Sequence, residues 1–197
     1  MRTVRTAALP PAPGEDQHPA LALVNTVQTT PAGSADLIAD PELAGSWLIG
    51  RSLLPEHVGF GEPCTTRLHA LRQALRTLLA CATSASPPPA AAIAAVNTAL
   101  TAAPTAGLLA WDPAQGLHRS ARHPLDQATD HLLARIAVDA VDLLTGPGAD
   151  KLAACGAAPC SRFLVRTHGA RQWCSVRCGD RIRAARAYAR RTHGSST

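Results

Sequence analysis

Six cysteines occur in the 197 residues, and four of them, Cys155, Cys160, Cys174 and Cys178, crowd into the C-terminal end. Their pattern is C-x4-C, thirteen residues, then C-x3-C. Each close pair can turn two sulfurs toward one ion. The intervening loop lets the pairs close a tetrahedron around zinc at about 2.3 Å per Zn–S bond. Two disulfides are the first rival, and they fit poorly with a chain showing no secretory signal. An iron–sulfur centre is the second, and is less common for this pairing. A segment this small cannot bury enough apolar surface to fold alone, so a metal would supply much of its stability. Four thiolates leave no position for water, so such a zinc would be structural, not catalytic. Cys64 and Cys81 are separate: seventeen helical residues span about 25 Å, too far for a bridge. Both read as small hydrophobes.

Arginine is the other chemistry-bearing residue. Of 19 basic residues, 18 are Arg and one is Lys151. Residues 1–150 carry −4 and residues 151–197 carry +9, giving the net +5. An acidic body with a short, strongly basic end is the asymmetry expected of a nucleic-acid-binding module. Enzyme signatures are lacking: the eight histidines form no H-E-x-x-H, and neither G-x-S-x-G nor a P-loop occurs. Asp126, Asp130, Asp139 and Asp142 could pair on a helix, but they read as a solvated acidic face without a His or Glu partner cluster. No catalytic residue is assigned.

The elements that must position these residues are mostly helical. Residues 1–17 hold three prolines and read as a flexible arm. His18 to Val27 is an apolar run, a strand or a short helix. Asp40-Pro41 predicts a helix start, with Asp40 as N-cap and Pro41 at N1, ending before Pro55. Leu68, Leu71, Leu75, Leu78 and Leu79 make one apolar stripe on a helix from Thr65 or Thr66. Arg67, Arg72 and Arg76 are assigned to its solvated face. Pro89 predicts another helix to about Thr101. Residues 108–120 read as a hairpin around Asp112–Gly116. Pro124 opens a second long helix that ends at Gly146-Pro147-Gly148. The expected fold is mainly α with a small β-hairpin element: an arm (1–17), a helical domain (18–148) and a cysteine module (149–197). No apolar run approaches the roughly 20 residues needed to span a bilayer, and a cytoplasmic location is the expectation.

The run Trp173-Cys174-Ser175 followed by Cys178-Gly179-Asp180-Arg181, with Cys155 and Cys160 upstream, resembles the CGNR zinc-finger family. His18-Pro19-Ala20-Leu21-Ala22-Leu23-Val24-Asn25-Thr26-Val27 and the Leu/Arg helix at 67–79 resemble that family's partner domain, ABATE. The resemblance implies stress-induced transcription regulation, with the finger as a nucleic-acid-binding element. Asp180 stands where the family motif has Asn, and Thr167-His168-Gly169-Ala170 looks shorter and less basic than the family's loop.

As a physical object, the module is expected to be treble-clef-like: a knuckle at Cys155 and Cys160, a strand at Phe163–Val165, and a helix of about 178–191 carrying the second pair. At about 100° per residue, with Arg181 at 0°, Arg183, Arg186 and Arg190 fall between roughly 140° and 200°. These three are assigned to phosphate, with Arg162, Arg166, Arg171 and Arg177 widening the surface. Arg181, Asp180 and Trp173 are assigned structural roles near the metal. Ile182, Ala185, Tyr188 and Ala189 are expected to face inward. The reading is a transcriptional regulator with one structural Zn2+ that binds DNA in preference to RNA. Its helical domain would sense a ligand or form a homodimer. The alternatives are an RNA-binding protein, or an interaction or ligand-binding protein in which the zinc only staples the fold.

Overall fold

A computed structural model describes residues 9–31, 33–103, 108–120 and 127–194. About 54% of the chain is helical, with small antiparallel strand pairs, as the sequence led one to expect. The order is α1 (Pro19–Val24), β1 (Val27–Thr30), β2 (Gly33–Asp36), α2 (Pro41–Gly50), α3 (Glu62–Ser84), α4 (Ala90–Ala102), β3 (Leu108–Asp112), β4 (Gly116–Ser120), α5 (Ala128–Thr145), β5 (Leu152–Ala154), β6 (Phe163–Val165) and α6 (Val176–Gly194). The strands form three separate two-stranded antiparallel sheets, β1–β2, β3–β4 and β5–β6.

Local rules account for most helix ends. The Asp40 carboxylate accepts from Leu43 N–H at 2.8 Å, and Pro41 occupies the first turn, where its missing donor costs nothing. Leu68, Leu71, Leu75, Leu78 and Leu79 are all buried on one side of α3. That helix begins earlier than expected, at Glu62, so Cys64 lies inside it and accepts a hydrogen bond from Thr129 Oγ1. The expected start of α5 at Pro124, with Leu125 and Asp126, lies outside the described residues.

Apolar α1 is buried almost completely, from Ala20 to Val24. Burying each Leu there contributes about 1.5–3 kcal/mol. Its N-terminus is held by Asp139, whose two oxygens take His18 Nδ1 at 2.9 Å and Ala20 N–H at 2.8 Å. Asp130 pairs with Arg67. Asp139 therefore serves the fold, whereas the Asp130–Arg67 pair is exposed.

Arg72 and Arg76 correct the expectation of an exposed arginine face. Arg72 is 8% exposed and forms a two-pronged pair with Asp36 at 2.6 and 2.7 Å, plus a bond to Thr26 Oγ1 at 2.9 Å. Burial raises the Asp36 carboxyl. The Arg72 hydrogen bonds, Ile38 N–H and nearby His69 outweigh it and leave the carboxyl below its ordinary 3.8. Arg76 donates to the carbonyls of Val24 (2.6 Å) and Ser161 (3.3 Å), reaching from the helical core to the cysteine module.

Residues 9–17 are packed and do not form the distal part of a flexible arm; residues 1–8 lie outside the described residues. Leu9, Ala12 and Glu15 are buried. Pro13 accepts from Val165 N–H at 2.8 Å. Gly14 has φ +94°, and a Cβ there would stand 2.8 Å from Val165 Cγ2 and 3.0 Å from Leu21. Only glycine permits both the left-handed turn and this close approach.

Candidate metal centre and nucleic-acid interface

The β5–β6 hairpin carries the site, with Leu152 opposite Val165, Ala153 opposite Leu164 and Ala154 opposite Phe163. Its alternation decides everything around it. Leu152, Phe163 and Val165 join the core of the helices. Ala153 and Leu164, on the other face, join Cys155, Cys174 and Cys178 in a second, smaller core. One short hairpin is thus shared by two cores.

Backbone bonds shape the knuckle. Cys155 N–H donates to Arg162 O at 2.9 Å and Cys160 N–H to Ala157 O at 2.9 Å. Cys174 precedes α6 and Cys178 lies in its first turn, where its N–H donates to Ser175 Oγ at 3.2 Å. The four sulfurs lie within 4.8 Å of one another. Cys174 Sγ is 3.7 Å from both Cys160 Sγ and Cys178 Sγ. A tetrahedron with Zn–S bonds of about 2.3 Å has edges of about 3.8 Å. Three of the sulfurs are buried and Cys160 is half-buried. The cysteines are positioned to bind one metal ion, and the all-thiolate set suits a structural zinc.

Hydrogen bonds from Cys160 and Cys174 push Cys155 down to about 2. The hydrogen bond to Cys155 pushes Cys160 up to about 11, and those to Cys155 and Cys160 push Cys174 far above its ordinary value. A bound zinc would require the ligating thiols to give up their protons.

The arginines divide into two groups. Arg162, expected on the positive surface, is 1% exposed. It donates to Glu15 at 2.5 Å and to Pro10 O at 2.9 Å, and its Nη1 stands 3.9 Å from Cys174 Sγ. Its charge thus faces both a buried carboxylate and the thiolate cluster, which with zinc would carry about −2. Arg181 binds the knuckle carbonyls of Ala157 and Ala158. Asp180 is the fifth residue of α6, not its cap, and accepts from Arg183 at 2.6 Å. Arg183 also lies over the Trp173 ring, 5.7 Å from its centroid. A Cβ on Gly179 would come within 3.1–3.2 Å of both partners, so the glycine makes room for the stack. Arg171 donates from Nε to Trp173 O.

Arg166, Arg177, Arg186 and Arg190 are exposed, and among the described residues their side chains make no ion pair or hydrogen bond. Arg186 and Arg190 share the stripe with Arg183, while Arg177 lines a small cleft together with Cys160 and Arg181. The inward face expected for α6 extends only to half-buried Ile182. Ala185 and Ala189 are exposed, and Tyr188 is 70% exposed. The helix simply outruns the finger core. Of the module's aromatic residues, Trp173 packs beside the metal core and Phe163 belongs to the helical core.

Asn25, unassigned by sequence reasoning, proves central to the junction. Its side chain donates to Phe163 O at 2.9 Å and Glu15 at 2.7 Å, and accepts from Phe163 N–H at 2.8 Å. It thereby completes the edge of β6 as a backbone would. An Asn ending the apolar His18–Val24 run was the available signal.

A helical domain and a four-thiolate zinc finger, joined through a shared hairpin, define the class of protein. Residues 17–147 match the model of the ABATE family, described as "Putative stress-induced transcription regulator", and residues 151–191 match the CGNR zinc finger. The chain belongs to the ABATE family and carries a CGNR zinc finger. It matches none of the curated proteins compared with it. Neither family is an enzyme family. Among the described residues, no helix is long and apolar enough to cross a membrane.

Proposed function

We propose that this protein is a cytoplasmic transcriptional regulator that binds double-stranded DNA through its zinc-loaded finger, with Arg166, Arg177, Arg186 and Arg190 on phosphates. Arg171 and Arg183 assist while remaining tied to Trp173 and Asp180. The single observation behind this reading is that four exposed guanidiniums have no partner among the described residues, in a module of charge +9 on a chain whose remainder carries −4. Each such arginine offers a bidentate fork to phosphate. α6 supports it further: from Arg183 to Thr192 every residue except Ala187 is exposed, so the helix is free to lie along a groove.

The test is fluorescence anisotropy of zinc-loaded protein on duplex DNA fragments across a salt series. Four phosphate contacts give a slope of log K against log salt of about −3.6. Changing Arg186 and Arg190 together to Ala should flatten it by about 1.8. No binding at low salt, or an unchanged slope in that variant, refutes the proposal. Tighter binding to single-stranded RNA would move the assignment to RNA, with exposed Tyr188 as the stacking residue.

A further inference from the structure

We propose that the cleft between residues 9–16 and the C-terminal half of α2 binds an amino-acid-sized zwitterion, and that its occupancy is coupled to the zinc finger. The cleft is open to solvent and offers about 620 Å³, room enough for a small molecule. Its polar groups are unusually unspent. Gln28 is 5% exposed, yet only its Oε1 is used, accepting from Leu9 N–H at 3.0 Å. Its amide NH2 has no hydrogen-bond partner among the described residues, nor has the indole N–H of half-buried Trp47. Arg51 lies over the Trp47 ring at 5.2 Å and donates to Glu15 O at 3.1 Å. Its other terminal nitrogen stands 3.6 Å from Glu15 Oε2, an ion pair too long to be a good hydrogen bond. Asp16, exposed at the mouth, adds a carboxylate with no ion pair among the described residues.

The donors call for acceptor oxygens, and the carboxylates call for a cationic N–H. A simple anion would meet Glu15 and Asp16, and a simple polyamine would meet Arg51. A ligand carrying a carboxylate and an ammonium on one carbon satisfies both signs at once: carboxylate to Arg51, Gln28 and Trp47, ammonium to Glu15 Oε2 and Asp16. The Trp47 ring and Leu37 supply apolar wall for its side chain.

The cleft wall is fastened by the finger. Glu15 Oε1 accepts from Arg162, and Pro13 O accepts from Val165 of β6. A ligand that steadies residues 9–16 therefore steadies the seat of the finger, and the coupling runs equally in both directions.

The experiment is isothermal titration of the zinc-loaded full chain with each of the twenty L-amino acids, then with the amide and N-acetyl derivatives of any that bind. At least one amino acid should bind, with both derivatives weaker by about tenfold or more. Arg51→Ala and the cleft-filling Ser46→Trp should abolish binding while zinc content stays unchanged. Zinc affinity, read by chelator competition, should rise with ligand by the same factor that zinc raises ligand affinity. The site is overturned if no amino acid binds, if the derivatives bind equally well, or if Ser46→Trp binds as the wild type does. The coupling is overturned if zinc affinity ignores the ligand.

Discussion

Arg162→Met is the most informative single change to this fold. Arg162 and Glu15 are 1% and 6% exposed and meet at 2.5 Å. Methionine keeps roughly the apolar stem but strands the Glu15 carboxylate, leaving it Asn25 Nδ2 at 2.7 Å and Arg51 at 3.6 Å. Removing one partner of a buried pair costs about 3–5 kcal/mol, and the residual Arg51 contact places this case near 3. That is a large share of a total stability of about 5–15 kcal/mol. The guanidinium also stands 3.9 Å from Cys174 Sγ, so zinc affinity should fall about 10–100-fold, the usual effect of losing a partner in the shell outside the ligands. Urea unfolding of the zinc-loaded protein gives the first number and chelator competition the second. Should the variant fail to fold, Glu15→Gln keeps an acceptor toward both Asn25 and Arg162 and should cost about 1.5–3 kcal/mol. A loss below about 1 kcal/mol in Arg162→Met, with zinc affinity unchanged, would refute the reasoning.

Asp180→Asn breaks a pair whose members, Arg183 and Asp180, are 58% and 64% exposed, so stability from urea unfolding should fall by less than about 1 kcal/mol. If the finger binds DNA, the freed Arg183 should steepen the salt slope by about 0.9. Zinc affinity should fall as pH falls, because the ligating cysteines must be deprotonated to bind it; a flat profile in chelator competition would contradict the four-thiolate site. The Asp36 carboxyl is depressed in the folded state, so its contribution is present above the unfolded value and disappears as pH drops through the folded one. Asp36→Asn should cost about 1–2 kcal/mol at neutral pH and flatten the acid limb of a stability–pH curve below about pH 4.

Local patterns were legible and long-range partners were not. The cysteine spacing, the Asp40-Pro41 cap, the leucine stripe of α3 and the Asp112–Gly116 turn all follow from neighbours in sequence. The arginines failed because charge was read as exposure. Arg72 stands four residues after Leu68 and three before Leu75, directly on the buried stripe. The spacing placed it inside; only its partner, Asp36 on another element, was out of view. Arg162 was illegible for a different reason. Beside a cysteine in a +9 segment it looks like surface charge, and nothing nearby in sequence announces a buried Glu15 147 residues away. Tyr188 erred in the opposite direction: helical angle gives a face, but not whether anything stands opposite it.

The charge division at residue 150 and the folding division do not coincide. Leu152 and Phe163, inside the basic module, are buried in the core of the helices, each contributing about 1.5–3 kcal/mol there. Leu164 between the hairpin's outer residues is buried against the cysteines. Loss of metal would release one face of a hairpin whose other face seals the helical domain, so zinc stabilises both cores. The arginines follow the same geometry. Arg162 and Arg76 lie where the two cores meet, and each is held by carbonyls or carboxylates, while Arg181 is held by carbonyls within the finger. Arg186 and Arg190 lie past Ile182, are exposed, and make no ion pair or hydrogen bond among the described residues. The packing of α6 on the finger core is therefore confined to its first turns.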